Sequence, residues 1–324
     1  MLHTTFEKNK SMSKQITSHI MMVRPASFRM NEQTAVNNYY QRVLDGLKPE
    51  EANARAQQEF DTFVDKLRKA GVQVYVFQDD KNPDTPDSVF PNNWVSFHED
   101  GRVAMYPMYA ENRRLERREE MFDILADDFG FGITEIEDFT HFEDMGLYLE
   151  GTGSMILDRE NRIAYAAISE RTDPHVLETF CDRFDYEKVM FTANQTVNGA
   201  RLPIYHTNVM MCLGTGFSVV CMNAVDDPKD KQVLLQTLKD TGKKVIEITE
   251  NQKEHFAGNM LNVADAEGKE YCIMSEAAFK ALRPDQIQAI EKHAEILYSS
   301  LDTIEALGGG SARCMMAEIF LPKN

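Results

Sequence analysis

Groups of two or three short strands alternate with helices of ordinary length along this chain, and the alternation occurs about five times. The clearest helix runs from Pro49 to Gly71, because proline is tolerated in a first turn and glycine favours the left-handed conformation that ends a helix. A strand rich in β-branched and aromatic residues, 72–77, follows it. A doubly wound sheet needs one strand for each helix, so the surplus of strands argues against that topology. The pattern predicts a single α/β domain.

The remaining elements are predicted from the same periodicities. Hairpins are expected over residues 94–106 and 155–166. Helices are expected over residues 110–128, from 173 onward, and over 227–240 and 275–293. Further strands are expected at residues 188–191, 204–213, 217–222, 244–248, 260–263, 271–274 and 316–320. Residues 1–18 are assigned to an N-terminal tail whose order the sequence leaves open, and residues 19–324 to the single domain.

The charge balance excludes several classes of partner. The chain has 35 Lys and Arg against 52 Asp and Glu, a formal charge of −17, which is unsuited to nucleic acid or to an anionic membrane surface. The longest stretch without a formal charge, residues 202–225, holds too many polar residues for a membrane-spanning helix. Residues 1–15 lack the apolar core of a signal peptide. We therefore expect a cytoplasmic protein with a small-molecule substrate, and leave open whether it forms a homo-oligomer.

The cysteines favour a reducing compartment. Five are present, an odd number, and none is in CxxC spacing, so neither a disulfide framework nor a zinc site is indicated. His141, Glu143 and Asp144 are close in sequence, but a charged loop explains them better than metal ligation does. We expect no metal and no organic cofactor.

Three glycine-rich segments draw attention, at residues 150–153, 213–216 and 308–314. None completes a dinucleotide-binding or Walker motif, so nucleotide binding is weakly supported. Cys314 follows three glycines, which would expose a thiol and place backbone N–H groups near a developing negative charge. Taken alone, a free cysteine is more often a small buried hydrophobic residue.

Cys314, His206 and Glu150 together offer a nucleophile, a proton carrier and an orienting carboxylate. Each has an ordinary structural interpretation of its own, since His206 is expected inside an apolar strand and Glu150 at the surface. Acyl- and amidine-type transfer needs all three functions at one site. A Cys–His–carboxylate site is therefore a hypothesis whose spatial proximity the sequence does not prove.

Six motifs in register resemble the guanidino-group-modifying superfamily, which comprises arginine deiminases, dimethylarginine dimethylaminohydrolases and amidinotransferases. The resemblance covers about residues 19–322, and it implies a five-bladed α/β propeller, the pentein fold. Residues 31–38 and 91–96 bring the chain nearest to the citrulline ureidase branch. The six motifs are residues 24–25, 86–90, 149–153, 169–172, 206–208 and 308–314.

The resemblance implies a role for each candidate. Cys314 would be the nucleophile, His206 the general acid/base, and Glu150 the carboxylate that holds a substrate nitrogen and steers the histidine. Asp87 matches an aspartate that lines the substrate site of the family. Arg171, and more loosely Arg113, match arginines that hold the α-carboxylate of an amino-acid substrate. A bidentate arginine–carboxylate pair is physically sound at either position, although residues 113–118 also suit an ordinary charged helix face.

Three asparagines depart from the family pattern. Relatives that act on a guanidinium have acidic residues where this chain has Asn92 and Asn93, and arginine deiminases have an aspartate where it has Asn208. A ureido group is neutral and has a carbonyl acceptor, so amides suit it better than carboxylates do. The replacement favours hydrolysis of L-citrulline to L-ornithine, carbon dioxide and ammonia through a covalent cysteine intermediate. Turn-forming asparagines are the competing interpretation.

Other activities stay open at this point. The same Cys–His–Glu site would serve an arginine or methylated-arginine hydrolase or deiminase, which yields citrulline as a product. It would also serve an amidinotransferase, which needs an amine acceptor. A catalytically silent binding protein is the remaining alternative, and it is disfavoured because nucleophile, base and carboxylate are all present.

Overall fold

Five three-stranded sheets with one common strand pattern organise residues 14–323, the part of the chain that this computed structural model describes. The strands are β1 (His19–Arg24), β2 (Gln73–Gln78), β3 (Val95–Phe97), β4 (Arg102–Met105), β5 (Glu135–Asp138), β6 (Met155–Asp158), β7 (Ile163–Ala167), β8 (Glu187–Phe191), β9 (Asn194–Val197), β10 (Ala200–Pro203), β11 (Met211–Leu213), β12 (Phe217–Val220), β13 (Lys244–Glu247), β14 (Leu261–Ala264), β15 (Glu270–Ser275), β16 (Glu295–Ser299) and β17 (Ala317–Glu318).

Most helices lie between strands that pair in parallel; the exceptions are Gly151–Ser154, Glu250–Glu254 and Asp302–Gly308. They are α1 (Glu32–Ala35), α2 (Pro49–Lys69), α3 (Glu120–Asp127), α4 (Gly151–Ser154), α5 (Pro174–Phe184), α6 (Pro228–Asp240), α7 (Glu250–Glu254), α8 (Glu276–Ala281), α9 (Pro284–Glu291) and α10 (Asp302–Gly308). Short 3₁₀ turns are Pro91–Asn93, Glu111–Glu116, Thr140–Met145, Thr207–Val209, Met222–Ala224 and Ala312–Met315.

Each sheet has a middle strand with one antiparallel and one parallel neighbour. The sheet orders are β17-β1-β2, β3-β4-β5, β6-β7-β8, β11-β12-β13 and β14-β15-β16, and β9 and β10 form a separate hairpin. Parallel neighbours need a crossover connection, and in each sheet a helical segment provides it. The prediction of an α/β fold with small strand groups is confirmed.

Helix α2 illustrates how the sequence sets these units. Pro49 occupies its first turn as predicted, and one face buries Phe60, Phe63 and Leu67 completely. That face packs on β1 and β2 and against α10. The apolar spacing of three and four residues thus places the helix over its own parallel strand pair.

Five short turns come directly before the first strands of these sheets, and they position the site. Pro91–Asn93 precedes β3, α4 precedes β6, Thr207–Val209 precedes β11, residues 256–260 precede β14, and Ala312–Met315 precedes β17. The turn Pro91–Asn93 contacts both α4 and Ala312–Met315, and α4 also contacts Thr207–Val209. The turns therefore meet at one end of the sheets.

Three predicted elements differ from the structure. The predicted strand over residues 204–213 begins only at Met211, because Thr207 bends the chain by donating to the Ser154 carbonyl and accepting from the Ala167 N–H. His206 therefore lies in a turn and not in a strand. The predicted helix 110–128 is divided into a 3₁₀ turn and α3, because Arg117 adopts extended backbone angles.

The predicted helix 275–293 is also wrong, because it is divided into α8 and α9. The chain between them is extended at Leu282 and Arg283, and the residue before Pro284 avoids the helical region. Strand β16 and helix α10 were not predicted. Of the predicted tail, residues 1–13 lie outside the described residues, and the Gln15 side chain is buried, donating to the Leu157 carbonyl at 2.9 Å.

Candidate active site

Cys314 lies in the turn before β17, and its sulfur faces two amide side chains. Asn208 Nδ2 lies 3.3 Å and Asn259 Nδ2 lies 3.2 Å from Sγ. The preceding Gly309 has a φ of +63°, which favours glycine, and its carbonyl accepts a hydrogen bond from the Tyr205 hydroxyl at 2.7 Å. The glycine run thus bends the chain sharply before a buried thiol.

His206 and Glu150 form a direct pair, with 2.7 Å between Nε2 and Oε2. Burial lowers the pKa of His206 to about 4 although Glu150 raises it, so the imidazole is neutral near pH 7. Burial alone would raise the pKa of Glu150, but Arg171, the His206 hydrogen bond and Arg113 together lower it to about 2. The pair therefore consists of an anionic carboxylate and a neutral base.

Two buried arginines flank Glu150. Arg171 Nη1 lies 3.6 Å and Arg113 Nη1 lies 3.9 Å from Glu150 Oε2. These two positive charges compensate the carboxylate, which would otherwise be a costly unpaired ion in the interior. They also keep Glu150 ionised, so that it can orient the imidazole.

Arg113 is held by the protein itself. Its Nε and Nη2 donate to the two carboxylate oxygens of Glu116 at 2.8 and 2.9 Å, and Nη1 donates to Asn93 Oδ1 at 2.8 Å. Since a guanidinium only donates, Asn93 must turn its oxygen toward Arg113 and its Nδ2 away from it. The role of Arg113 in binding a substrate carboxylate stays a prediction. Its contacts in the structure hold the Asn93 side-chain amide in one orientation.

Arg171 is held by residues 31–38, a segment that covers the site. Its guanidinium donates to the Asn37 side chain and, at 2.9 Å, to the Thr34 carbonyl. The same segment reaches Asp87 Oδ2, which accepts from Asn31 Nδ2 at 2.8 Å. Binding of a substrate carboxylate to Arg171, as predicted, would require exchange of these partners.

Four buried polar atoms of the predicted substrate residues have no hydrogen-bond partner among the described residues. Three are acceptors, namely Asp87 Oδ1, Asn92 Oδ1 and Asn208 Oδ1, and the fourth is the donor Asn93 Nδ2. Burial raises the pKa of Asp87 against the opposing effect of Arg113. Buried polar atoms are almost always paired, so these atoms indicate where a ligand would bind.

Gly153 lets the Asn93 amide and the His206 imidazole lie close to the same stretch of backbone. A Cβ on this residue would lie 2.3 Å from Asn93 Nδ2 and 2.9 Å from His206 Nδ1, closer than carbon contacts permit. Any larger residue would therefore displace the amide or the imidazole. The second glycine of the segment 150–153 thus serves close packing of the site, as glycine often does where chains approach.

All nine predicted site residues are buried, and their polar contacts form three groups, which we call together the site network. Glu150 contacts His206, Arg171 and Arg113, and Arg113 in turn contacts Asn93 and lies 3.8 Å from Asp87. Cys314 contacts Asn208. Asn92 contacts Thr152. Their individual roles remain predictions.

Asn259 and Glu116 were not predicted as site residues. Asn259 follows Gly258 in an ordinary turn sequence, and Glu116 lies in a charged run. The signal that would have found Asn259 is the repeat itself, since the turn before each first strand carries a residue of the network.

Within residues 14–323, no three or more His, Cys, Asp or Glu side chains are grouped so that they could hold a metal ion. Glu143, near His141 in sequence, instead forms an ion pair with Arg117. Within the same residues, no helix is both long and apolar enough to cross a membrane.

Guanidino-group-modifying enzymes have turns that bring a cysteine, a histidine and a carboxylate to one end of such sheets. The hydrolases among them act on carbon–nitrogen bonds other than peptide bonds. A family model described as N,N dimethylarginine dimethylhydrolase, eukaryotic, matches residues 24–321. This chain belongs to that family. The predictions of the superfamily and of a carbon–nitrogen hydrolase are confirmed. A comparison with curated proteins gave no significant match.

Solved structures share the fold. Full-length ArgZ, an arginine dihydrolase from the ornithine–ammonia cycle in cyanobacteria, superimposes with a TM-score of 0.71 at 19% identity, over 94% of this chain and 41% of that one. The substrate-bound N-terminal domain of ArgZ gives 0.70 at 20% identity, over 94% and 99%. A dimethylarginine dimethylaminohydrolase adduct gives 0.60 at 14%, over 94% and 100%. This chain thus spans about two fifths of full-length ArgZ.

Proposed function

We propose that this protein hydrolyses both terminal carbon–nitrogen bonds of the guanidino group of L-arginine, giving L-ornithine, two ammonia and carbon dioxide. The observation that carries the proposal is a pair of buried acceptors without a partner among the described residues, the Asp87 carboxylate oxygen Oδ1 and Asn92 Oδ1, to which Asn208 Oδ1 adds a third in its present orientation. A guanidinium has only donors and carries a positive charge, so acceptors that include a carboxylate are complementary to it.

The one unpartnered donor supports a second hydrolysis at the same site. Replacing one guanidino nitrogen by oxygen leaves a neutral ureido group with a carbonyl acceptor. Asn93 Nδ2, whose direction Arg113 fixes, is a donor suited to that oxygen. A site with both kinds of group suits the cationic substrate and the neutral intermediate in turn.

The proposed reaction uses the geometry as follows. The Cys314 sulfur attacks the guanidinium carbon, a carbon–sulfur bond forms, and one terminal carbon–nitrogen bond breaks as ammonia leaves with the proton given up by the cysteine thiol. Water then attacks the same carbon while neutral His206, oriented by Glu150, accepts its proton and the thiol is released. A second round on the ureido carbon releases another ammonia, and the resulting carbamate loses carbon dioxide to leave ornithine.

The relatives add support for this substrate. ArgZ is an arginine dihydrolase, and structures of AgrE hold L-arginine in one case and ornithine with NAD⁺ in another. These proteins share 19% of their sequence with this chain over the matched residues. The family model names dimethylarginine instead, so methylated arginine is the closest competing substrate.

Citrulline as the primary substrate stays a prediction, and the excess of acceptors favours the arginine alternative over it. The argument from Asn92, Asn93 and Asn208 is partly retained, because only Asn93 directs a donor into the site. An amidinotransferase would use the same nucleophile but would need an amine in place of water.

We also infer that the five sheets close into a five-bladed ring. Their common strand pattern supports this arrangement, as do the contacts of β17 with β3, of β6 with β11 and of β11 with β14. The assignment of residues 19–324 to one catalytic domain, the cytoplasmic location and a homo-oligomeric state remain predictions.

One assay separates the activities. Purified protein is incubated separately with L-arginine, asymmetric dimethylarginine and L-citrulline, and ornithine, citrulline and ammonia are measured. Two ammonia and one ornithine per arginine support the proposal. Citrulline with one ammonia would show a deiminase, citrulline from dimethylarginine alone a dimethylaminohydrolase, and ornithine from citrulline alone a ureidase. Cys314→Ser protein is the blank for each substrate.

A further inference from the structure

We propose that Asn259 is a catalytic residue, which stabilises the thiolate of Cys314 by donating a hydrogen bond of fixed direction to its sulfur. The inference deepens the proposed function, because it rests on Cys314 being the nucleophile. It does not depend on the identity of the substrate.

The direction of the Asn259 amide is determined by its partners. Its Oδ1 accepts from the backbone N–H of Arg313 at 3.0 Å, and a backbone N–H can only donate. The NH₂ group must therefore face the other way, where Nδ2 lies 3.0 Å from the Asn208 carbonyl oxygen and 3.2 Å from Cys314 Sγ. Two amide hydrogens meet two acceptors, so the sulfur accepts from Asn259.

Asn208 lacks this constraint. Its Nδ2 lies 3.3 Å from Cys314 Sγ, but its Oδ1 has no partner among the described residues. A reversed amide could accept from a neutral thiol without breaking any other hydrogen bond. Of the two amides at the sulfur, only Asn259 is held as a donor by the protein, and donors favour the ionised form of a thiol.

The backbone around Asn259 brings it to this position. A Cβ on Gly258 would lie 2.5 Å from the Val209 carbonyl oxygen, so only glycine lets the two turns approach this closely. Phe256 has a φ of +61°, a backbone conformation that residues other than glycine rarely adopt. Asn259 itself is completely buried. The backbone conformation of the turn before β14 thus places the Asn259 amide in contact with the Cys314 sulfur.

The titratable residues next to Cys314 in sequence or on the adjacent turn are engaged elsewhere. His206 is neutral near pH 7 and its Nε2 is bonded to Glu150. The Arg313 guanidinium donates to Glu318 at 2.7 Å and to the Met316 carbonyl at 2.9 Å. Tyr205, on the adjacent turn, donates its hydroxyl hydrogen to the Gly309 carbonyl. The oriented amide therefore offers what these groups do not, a donor directly at the sulfur.

The test measures the thiolate without substrate. The ultraviolet absorbance of the thiolate is recorded against pH for the wild type, Asn259→Ser and Asn259→Asp, each minus its Cys314→Ser counterpart. Asn262→Ser and Asn262→Asp are matched controls, since Asn262 is a buried amide three residues along that donates to the Tyr271 carbonyl instead. Circular dichroism and gel filtration establish that each variant is folded.

We expect the midpoint of thiolate formation to move to higher pH by about one unit in Asn259→Ser, a tenfold loss of thiolate at a given pH. It should move further in Asn259→Asp, where a negative charge replaces the donor. Both Asn262 variants should keep the wild-type midpoint. An unchanged midpoint in Asn259→Ser, or equal shifts in the Asn262 variants, would overturn the proposal. Failure of both Asn259 variants to fold would assign the residue to stability and overturn it as well.

The outcome is separable from that of the substrate assay. A wild-type protein that is silent on arginine but shows the expected shift retains the role of Asn259 and loses the proposed substrate. A protein that is active on arginine without the shift retains the substrate and loses the role.

Discussion

Glu150 and His206 lie among charges, whereas Cys314 lies among neutral amides. Two arginine nitrogens lie 3.6 and 3.9 Å from Glu150 Oε2, and they hold the pKa of this carboxyl low. The sulfur of Cys314 has only amide nitrogens at 3.2 and 3.3 Å among its side-chain hydrogen-bond partners in residues 14–323. We call these the charged half and the amide half of the site.

The difference shows how one site sets the charges of its own side chains and also selects the charge of a ligand. In the charged half the protein fixes each protonation state, because opposite charges are buried together. Acceptor atoms of Asp87, Asn92 and Asn208 stay unpartnered, so a ligand that brings its own positive charge completes the site. Four substitutions test this division, beginning with the largest expected effect.

Replacing the nucleophile should abolish turnover. Cys314→Ser is expected to lower kcat by at least about 10⁴-fold, because a hydroxyl at this position has no base directly bonded to it. Cys181→Ala, in the apolar face of α5, is the control and should keep wild-type kcat. Steady-state ammonia release measures both. Retention of wild-type kcat by Cys314→Ser with an intact fold would remove Cys314 from the mechanism.

Removing the Glu150 carboxylate should lower both the stability and the activity that depend on the charged half. Glu150→Gln leaves two buried arginines without their shared partner, so the free energy of unfolding should fall by about 3–5 kcal/mol. We expect kcat to fall by about 10²–10⁴-fold, because His206 loses its orienting partner. Urea unfolding and steady-state kinetics measure the two effects. Glu143→Gln is the control, since Glu143 pairs with Arg117, and equal losses of kcat in both variants would refute the role of Glu150.

The charged half should also make stability depend on pH. Burial lowers the pKa of His206 from 6.5 to about 4, so between these values the unfolded chain binds a proton that the folded chain does not. The free energy of unfolding should therefore fall as the pH drops from about 6.5 to about 4, by at most about 3 kcal/mol from this residue. Urea unfolding at a series of pH values measures this fall.

Two variants separate the histidines that contribute. His206→Gln should flatten the pH dependence and also lower kcat. His98→Gln should flatten it while kcat is kept, because burial lowers the pKa of His98 too, but this residue lies outside the network and bonds Ser96. An unflattened curve in His206→Gln would show that the histidine is not neutral in the folded protein.

Removing one unpartnered acceptor should test whether the site selects a positively charged ligand. Asp87→Asn deletes a negative charge beside an unpartnered oxygen, so KM for arginine should rise about 10–100-fold, the cost of about 1.5–3 kcal/mol for a hydrogen bond between charged groups. KM for neutral citrulline should change less. Asp79→Asn is the control, because Asp79 already accepts from Thr85 and Ser88. Equal rises for both substrates would contradict a site that selects charge.

Periodic elements of the fold were predictable, and aperiodic ones were not. Helix α2 and the hairpin β3–β4 lie where the residue spacing indicated. The turns that carry the site are only three to four residues long in Thr207–Val209 and α4, too short for any periodic signal. The break between α8 and α9 was readable at Pro284, and the mistake was to extend one helix through it.

The site itself was predicted through motifs, and its missing members lie between them. The contact of Asn208 with Cys314 joins two motifs that are 106 residues apart in sequence. Asn259 and Glu116 belong to no motif, and their importance comes from what they touch. Glu116 orients Arg113, which orients Asn93 in turn. Such indirect positioning leaves no pattern in the order of residues, because it depends on contacts between distant segments.

The pairing of β1 with β17 joins the two ends of the described domain. Ile20 is opposite Glu318, and the Ile319 N–H donates to the His19 carbonyl at 2.8 Å. The first and last strands of the described residues thus share one sheet, beside the turn of Cys314. A circular permutant with these ends linked, and opened at the exposed turn around Gly268, would keep the strand partners of every sheet. The strand pairing of each sheet is therefore independent of which sheet comes first along the chain.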